Sequence, residues 1–120
     1  MNDNIDMDII SHGNVAIVAF AATSISNSEK IAAASERIKD FIDDNHPHAV
    51  VFDFSEVKFF SSQVLGLLLE IRSQLKISNG QVAISAIDPQ LYRVFKITNL
   101  NTIFKFFPDS DTAVKAVTGN

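Results

Sequence analysis

"VVFDFSEVKFFSSQVLGLLLEIRSQL", residues 50–75, changes hydrophobic period halfway along. Val50 to Phe54 are apolar apart from Asp53, and "HPH" (46–48) precedes them. A short continuous apolar run of this kind suits a central strand covered on both faces. From Ser61 the pattern becomes helical. Val64, Leu67, Leu68, Ile71 and Leu75 recur at i, i+3, i+4 spacing, and Asn79-Gly80 supplies a stop. A buried strand feeding an amphipathic helix is half of a strand–helix–strand unit, and such units build parallel sheets.

The segments on either side extend that unit. "DIISHGNVAIVAFAAT" (8–23) reads as a hairpin turning at "HGN". "SNSEKIAAASERIKDFIDDN" (26–45) reads as a helix with Ser26 and Glu29 at capping-box spacing and Ile31, Ala34, Ile38 and Phe41 on its inner face. "QVAISAI" (81–87) is a further strand. In "DPQLYRVFKITN" (88–99), Asp88 is positioned as an N-cap, Pro89 as the first helical residue, and Leu91, Val94 and Phe95 face inward. "TIFKFF" (102–107) and "DSDTAVKAV" (109–117) read as a last strand and a terminal helix. The order is β-β-α-β-α-β-α-β-α. The expected fold is α/β: one mixed, mainly parallel sheet flanked by about four helices, with a frayed tail over 1–8 and one domain over 9–120.

Composition narrows the chemistry. The 120 residues contain no cysteine, which excludes disulfides, thiolate metal sites and cysteine nucleophiles. A net charge of −4 with scattered lysines and arginines argues against direct nucleic-acid binding. No apolar run approaches the roughly 20 residues of a membrane span, and the acidic start "MNDNIDMD" is no signal peptide, so a cytoplasmic protein without membrane insertion is expected. Four glycines form neither a phosphate loop nor a dinucleotide fingerprint, and no G-x-S-x-G elbow presents a serine. His46 and His48 lack a third ligand placed by any motif, so they read as a solvated loop. Asp53 reads as a strand-end carboxylate bonded to nearby backbone. No enzyme activity, metal or cofactor is expected.

Ser61 and Ser62 remain. Either hydroxyl could cap the helix, but neither has Glu or Gln three positions on, so no reciprocal box forms. A helix N-terminus also favours anions, and a phosphate added there would be tolerated by its own helix.

With the stretch around these serines as its centre, nearly the whole chain from about residue 9 resembles a STAS domain of the anti-sigma factor antagonist family. Asp53-Phe54-Ser55 matches the family's strand end, and Val57, Phe59, Ser62, Leu65 and Gly66 match the segment opening the helix. Asp88, Pro89, Phe95, Leu100 and Ile103 match the succession downstream. The resemblance implies that Ser62 is the phosphoacceptor. It implies an anti-sigma factor that is also a serine protein kinase as partner, and a phosphatase that resets the switch. It places partner contacts at Thr23, Ser24 and Ile25 in the early loop and at Ser61, Ser62, Gln63 and Val64. The chain departs from the family pattern at Ser61 (usually Asp), Gln63 (usually Ser) and Val64 (usually Gly), and "AATSISN" replaces the usual Gly-x-Leu-Asp. The alternative expectation is an unphosphorylated STAS adaptor in a transport or stress-signalling complex.

Overall fold

A computed structural model describes residues 6–118. Strands β1 (Met7–His12) and β2 (Val15–Phe20) form the hairpin, with Gly13 at φ 62° in its turn. They are followed by β3 (Ser24–Ile25), α1 (Ser28–Asn45), β4 (Ala49–Asp53), β5 (Phe59–Phe60) and α2 (Ser62–Lys76). Then come β6 (Gln81–Ser85), α3 (Pro89–Ile97), a 3-10 turn at Leu100–Thr102, β7 (Lys105–Phe107) and α4 (Ser110–Val117). The main sheet has the order β1-β2-β4-β6-β7, with β1 antiparallel and every other pairing parallel. The expected α/β class and mixed sheet are what the chain adopts.

Alternate residues of the central strands enter two cores. Val18, Val50, Phe52 and Ile84 pack with α1, α2 and α3, whereas Val15, Val51 and Ala83 pack under Ala113, Val114 and Val117 of α4. The unbroken apolar run of β4 follows from this arrangement: both of its faces are dry. A chain of edge-to-face rings anchors the larger core. Phe95 meets Phe60, Phe104 and Phe106 at centroid distances of 6.0, 6.2 and 5.2 Å.

Several local expectations change. Asn27, not Ser26, caps α1, because its Oδ1 accepts from Lys30 N at 3.0 Å. The inner face of α1 closes with Ile42, leaving Phe41 half-buried at its edge. Asn79 adopts the left-handed conformation (φ 61°) after α2, and Gly80 does not. Gly80 serves close packing instead: an added Cβ would lie 2.9 Å from the His48 carbonyl oxygen and 3.1 Å from that of Leu75. "TIFKFF" begins in the 3-10 turn, so its strand is only Lys105–Phe107. Of the tail expected over 1–8, residues 1–5 lie outside the described residues, while Met7 and Asp8 already pair in β1 because Met7 is buried in the larger core. Asp88 and Pro89 open α3 as expected, with Asp88 Oδ1 accepting from Gln90 N at 2.8 Å. Among the described residues no helix is long and apolar enough to cross a membrane.

Candidate functional site at the start of the second helix

The chain leaves β4 through a tight, fully bonded turn. Asp53 Oδ1 accepts from Ser55 N at 2.9 Å, the backbone role expected for it. Phe54 N–H donates to the Ser85 carbonyl and Val57 N–H to the Phe54 carbonyl, both at 3.0 Å, while the two side chains are fully buried. The turn delivers Lys58–Ser61 alongside Thr23–Ile25. Lys58 N and Phe59 N both donate to the Thr23 carbonyl, at 2.7 and 3.1 Å, and Ser61 N donates to the Ile25 carbonyl at 2.9 Å. Strands β3 and β5 thereby form a small parallel sheet of their own, with Ser24 opposite Phe59 and Ile25 opposite Phe60. The sequence pattern predicts no strand at Ser24–Ile25 or Phe59–Phe60, since two-residue strands leave no period to detect.

This second sheet fixes where α2 begins. Ser61 is the cap residue by position, with extended backbone, and its carbonyl accepts from Val64 N at 3.0 Å. Its hydroxyl makes no cap hydrogen bond; Ser61 Oγ is sealed from solvent without a partner. Ser62, one residue on, is exposed, and among the described residues its side chain makes no hydrogen bond. Gln63 is exposed as well, and its Nε2 donates to the Ser28 carbonyl at 3.1 Å, tying the first turn of α2 to the first turn of α1.

The residues expected to meet a partner divide by burial. Thr23, Ser24, Ser62 and Gln63 are all exposed. Ile25 and Val64 correct the expectation: at 2% and 1% exposure their side chains belong to the core, because each follows its element's inward face. Phe59 is not among the expected contact residues, yet it stands at the surface. In β5 successive side chains point to opposite faces, so Phe60 enters the core and Phe59 stands 55% exposed beside the serines.

Charge around the site is sparse. The first turn of α2 carries no acidic side chain, so nothing there competes for the positive end of the helix dipole. Lys58 Nζ lies 3.5 Å from Asp88 Oδ2, linking the approach to α2 with the cap of α3. His46 has a structural role, ending α1 in the left-handed conformation with its N–H donating to the Ile42 carbonyl at 2.8 Å. Among the described residues no three His, Cys, Asp or Glu side chains come together to hold a metal.

The sequence profile of the STAS domain matches residues 7–113. An anti-sigma factor antagonist from Mycobacterium paratuberculosis is 27% identical, with a TM-score of 0.82 over 98% of this chain and 97% of that one. SpoIIAA, a Bacillus cell fate determinant solved in its phosphorylated form, shares the fold at 16% identity and TM-score 0.73, over 92% of this chain and 98% of that one. A sulfate transporter family protein from Wolinella succinogenes shares it at 13% identity and TM-score 0.72, over 91% and 88% of the two chains. The profile spans nearly every element described above, and the chain belongs to the STAS-domain family.

Proposed function

We propose that this protein is an anti-sigma factor antagonist whose docking onto an anti-sigma factor with serine kinase activity is switched by phosphorylation of Ser62. The observation that carries the reading is the contrast at the start of α2: Ser62 is exposed and uncommitted, on a helix end laced in place by β3, β5 and Gln63. A kinase can reach such a hydroxyl without unfolding anything. Transfer of the γ-phosphoryl group of ATP to Ser62 Oγ releases ADP, with the hydroxyl proton passing to a base on the kinase. The kinase supplies nucleotide and Mg²⁺, and this chain supplies the acceptor and a docking surface. A phosphatase hydrolyses the ester and restores binding.

The phosphate adds about −1.5 to −2 charges. At the helix N-terminus that charge is favourable to the antagonist's own fold, so its effect falls on the complex. Thr23, Ser24, Gln63 and the exposed ring of Phe59 complete the proposed contact surface, and the setting is cytoplasmic. The likeness to the mycobacterial antagonist and to SpoIIAA, which has a phosphorylated form, supports this reading.

The test pairs phosphopeptide mapping in the native host with binding measurements on purified cognate kinase. Phosphate is expected on Ser62, with Ser62→Ala binding like wild type and Ser62→Asp at least tenfold weaker. Equal binding by Ser62→Asp and wild type, with no phosphate at Ser62, points instead to a STAS adaptor in a transport or stress-signalling complex.

A further inference from the structure

The charge of the molecule is unevenly placed. Residues 71–107 hold five of its ten lysines and arginines (Arg72, Lys76, Arg93, Lys96 and Lys105) but one of its fourteen acidic residues, Asp88. Asp88 is already matched to Lys58. The same stretch holds three exposed isoleucines: Ile77 is 88% exposed, Ile97 81% and Ile103 38%. Topology gathers most of these groups at one end of the sheet. Strands β4, β6 and β7 are parallel, and α2 and α3 pack into the same core, so each of these helices ends where the next strand begins. Ile77 follows the last turn of α2, Ile97 closes α3, and Ile103 leads into β7, the neighbour of β6. Ser62 lies at the other end of α2, about 20 Å away along the helix.

Between the last turns of α2 and the start of β7 the surface opens into a cleft of about 190 Å³, where Arg72, Lys76, Ile103 and Lys105 meet. No acidic residue lines it. Lys76 and Lys105 are exposed, Arg72 is half-buried, and among the described residues none of the three has an ion-pair partner. Arg72 and Lys76 are one turn apart and share a side of α2. Gln74, on the opposite side, donates to Asp43 Oδ1 at 3.0 Å, so the acidic end of α1 lies across the helix from the cleft. The helix dipole accounts for cations in the last turns of α2 and α3, Lys76 and Lys96. It does not account for Arg72 a turn earlier, for Lys105 on a strand, or for isoleucines left in water. The Leu75 and Lys76 carbonyls already accept from Gly80 N and Asn79 N, at 2.7 and 3.1 Å, so these helix-end acceptors are occupied within the fold.

We propose that this end of the molecule docks onto an anionic phospholipid surface, with a headgroup phosphate in the cleft and Ile77, Ile97 and Ile103 at the boundary between headgroups and acyl chains. Phosphate oxygens accept from the Arg72 guanidinium and from the Lys76 and Lys105 ammonium groups. A soluble phosphate uses the cations and gives the isoleucines nothing. A bilayer satisfies both, because interfacial attachment grows with the apolar area buried and with attraction to anionic lipid. A protein partner fits less well. Protein interface cores favour aromatic rings and lose lysine, whereas this end shows isoleucine and lysine, and the exposed Phe59 lies at the far end, three residues before Ser62. The net charge of −4 does not prevent contact, since charges farther than about 8 Å from the bilayer are screened at physiological salt. Attachment of this kind is peripheral, leaves Ser62 open, and does not rest on the proposed function.

The test is flotation of the full-length chain with vesicles of phosphatidylcholine alone, and with vesicles of two parts phosphatidylcholine to one part phosphatidylserine. Partition onto the anionic vesicles should be at least tenfold stronger, and should be lost in about 1 M salt, where the Debye length is about 3 Å. Two variants of equal net charge separate this face from bulk charge. Lys76→Gln/Lys105→Gln should weaken partition at least tenfold, while Lys30→Gln/Lys115→Gln, on α1 and α4, should bind like wild type. Ile77→Ser/Ile97→Ser changes two exposed positions that the core does not use, so partition should fall at least fivefold with little change in Tm. The proposal is overturned if anionic vesicles hold the chain no better than neutral ones, or if the two lysine variants weaken equally. An isoleucine variant that partitions like wild type also overturns it, reducing the cleft to a site for soluble anions. Binding to poly-glutamate with none to vesicles overturns it in favour of an acidic protein partner.

Discussion

Ser61 and Ser62 are adjacent in sequence and opposite in environment: Ser61 Oγ is enclosed without a hydrogen-bond partner, and Ser62 is open to solvent. The division is made by the backbone. Ser61 is gripped at both ends, its N–H by the Ile25 carbonyl and its own carbonyl by Val64 N–H, which fixes it at the junction of the small second sheet and α2. Ser62 is the first residue beyond that grip. The position that the family resemblance gives to an Asp thus holds an enclosed hydroxyl without a hydrogen bond, beside a residue open to solvent.

Substitution of Ser61 should therefore depart from ordinary cap behaviour. Removing a working cap costs about 0.5–2 kcal/mol, and Asn27→Ala, which loses the bond to Lys30 N, should cost about 1 kcal/mol. Ser61→Ala removes a buried hydroxyl that makes no bond, so it should be neutral or stabilise by up to about 1 kcal/mol. Urea denaturation of the two variants decides the point. A loss for Ser61→Ala as large as that for Asn27→Ala would show that the Ser61 hydroxyl is satisfied in solution.

Gly80→Ala should be clearly destabilising, by about 1–3 kcal/mol, the usual scale for forced overpacking. The new Cβ would press on two carbonyl oxygens, those of His48 and Leu75, and both already accept backbone hydrogen bonds. Because Gln81 N donates to the His48 carbonyl at the start of β6, the strain should also appear as faster amide exchange at Gln81. Unchanged exchange and stability would sink this account of Gly80.

Phe95→Ala should cost about 3–5 kcal/mol. Phe95 is fully buried and its ring joins β5, the region after the 3-10 turn and β7 through Phe60, Phe104 and Phe106. Loss of the contact with Phe60 should loosen β5 and hence the start of α2. Faster hydrogen exchange at Ser61 N–H than in wild type is the specific readout.

Asp109 should make part of the stability pH-dependent. The Thr112 backbone N–H, foremost, holds its carboxyl below the ordinary value of 3.8, with help from the Thr112 side chain and from Lys115. A depressed carboxylate pKa adds stability that is complete above the unfolded value and is lost as pH falls through the folded one. Asp109→Asn keeps a good cap but does not titrate. Its Tm should fall less steeply than that of wild type as pH drops from about 5 to 2.5. Parallel curves would exclude the cap carboxylate as a source of acid sensitivity.

Much of the molecule could be read along the chain because the signals involved are local. The dry apolar run of β4, the helical spacing from Val64 to Leu75, and the Asp88-Pro89 start of α3 each lie within a few turns or a single strand, and each formed as expected. The placement of Ser62 at a helix start was legible for the same reason. Other features depend on residues distant in sequence. Strands β3 and β5 have only two residues each, too few to show a period, and exist because the Thr23 and Ile25 carbonyls meet the amides of Lys58, Phe59 and Ser61. That pairing turns Ile25 inward and sends Phe59 out and Phe60 in, while the packing of α2 buries Val64. None of these orientations can be deduced from the residue types alone.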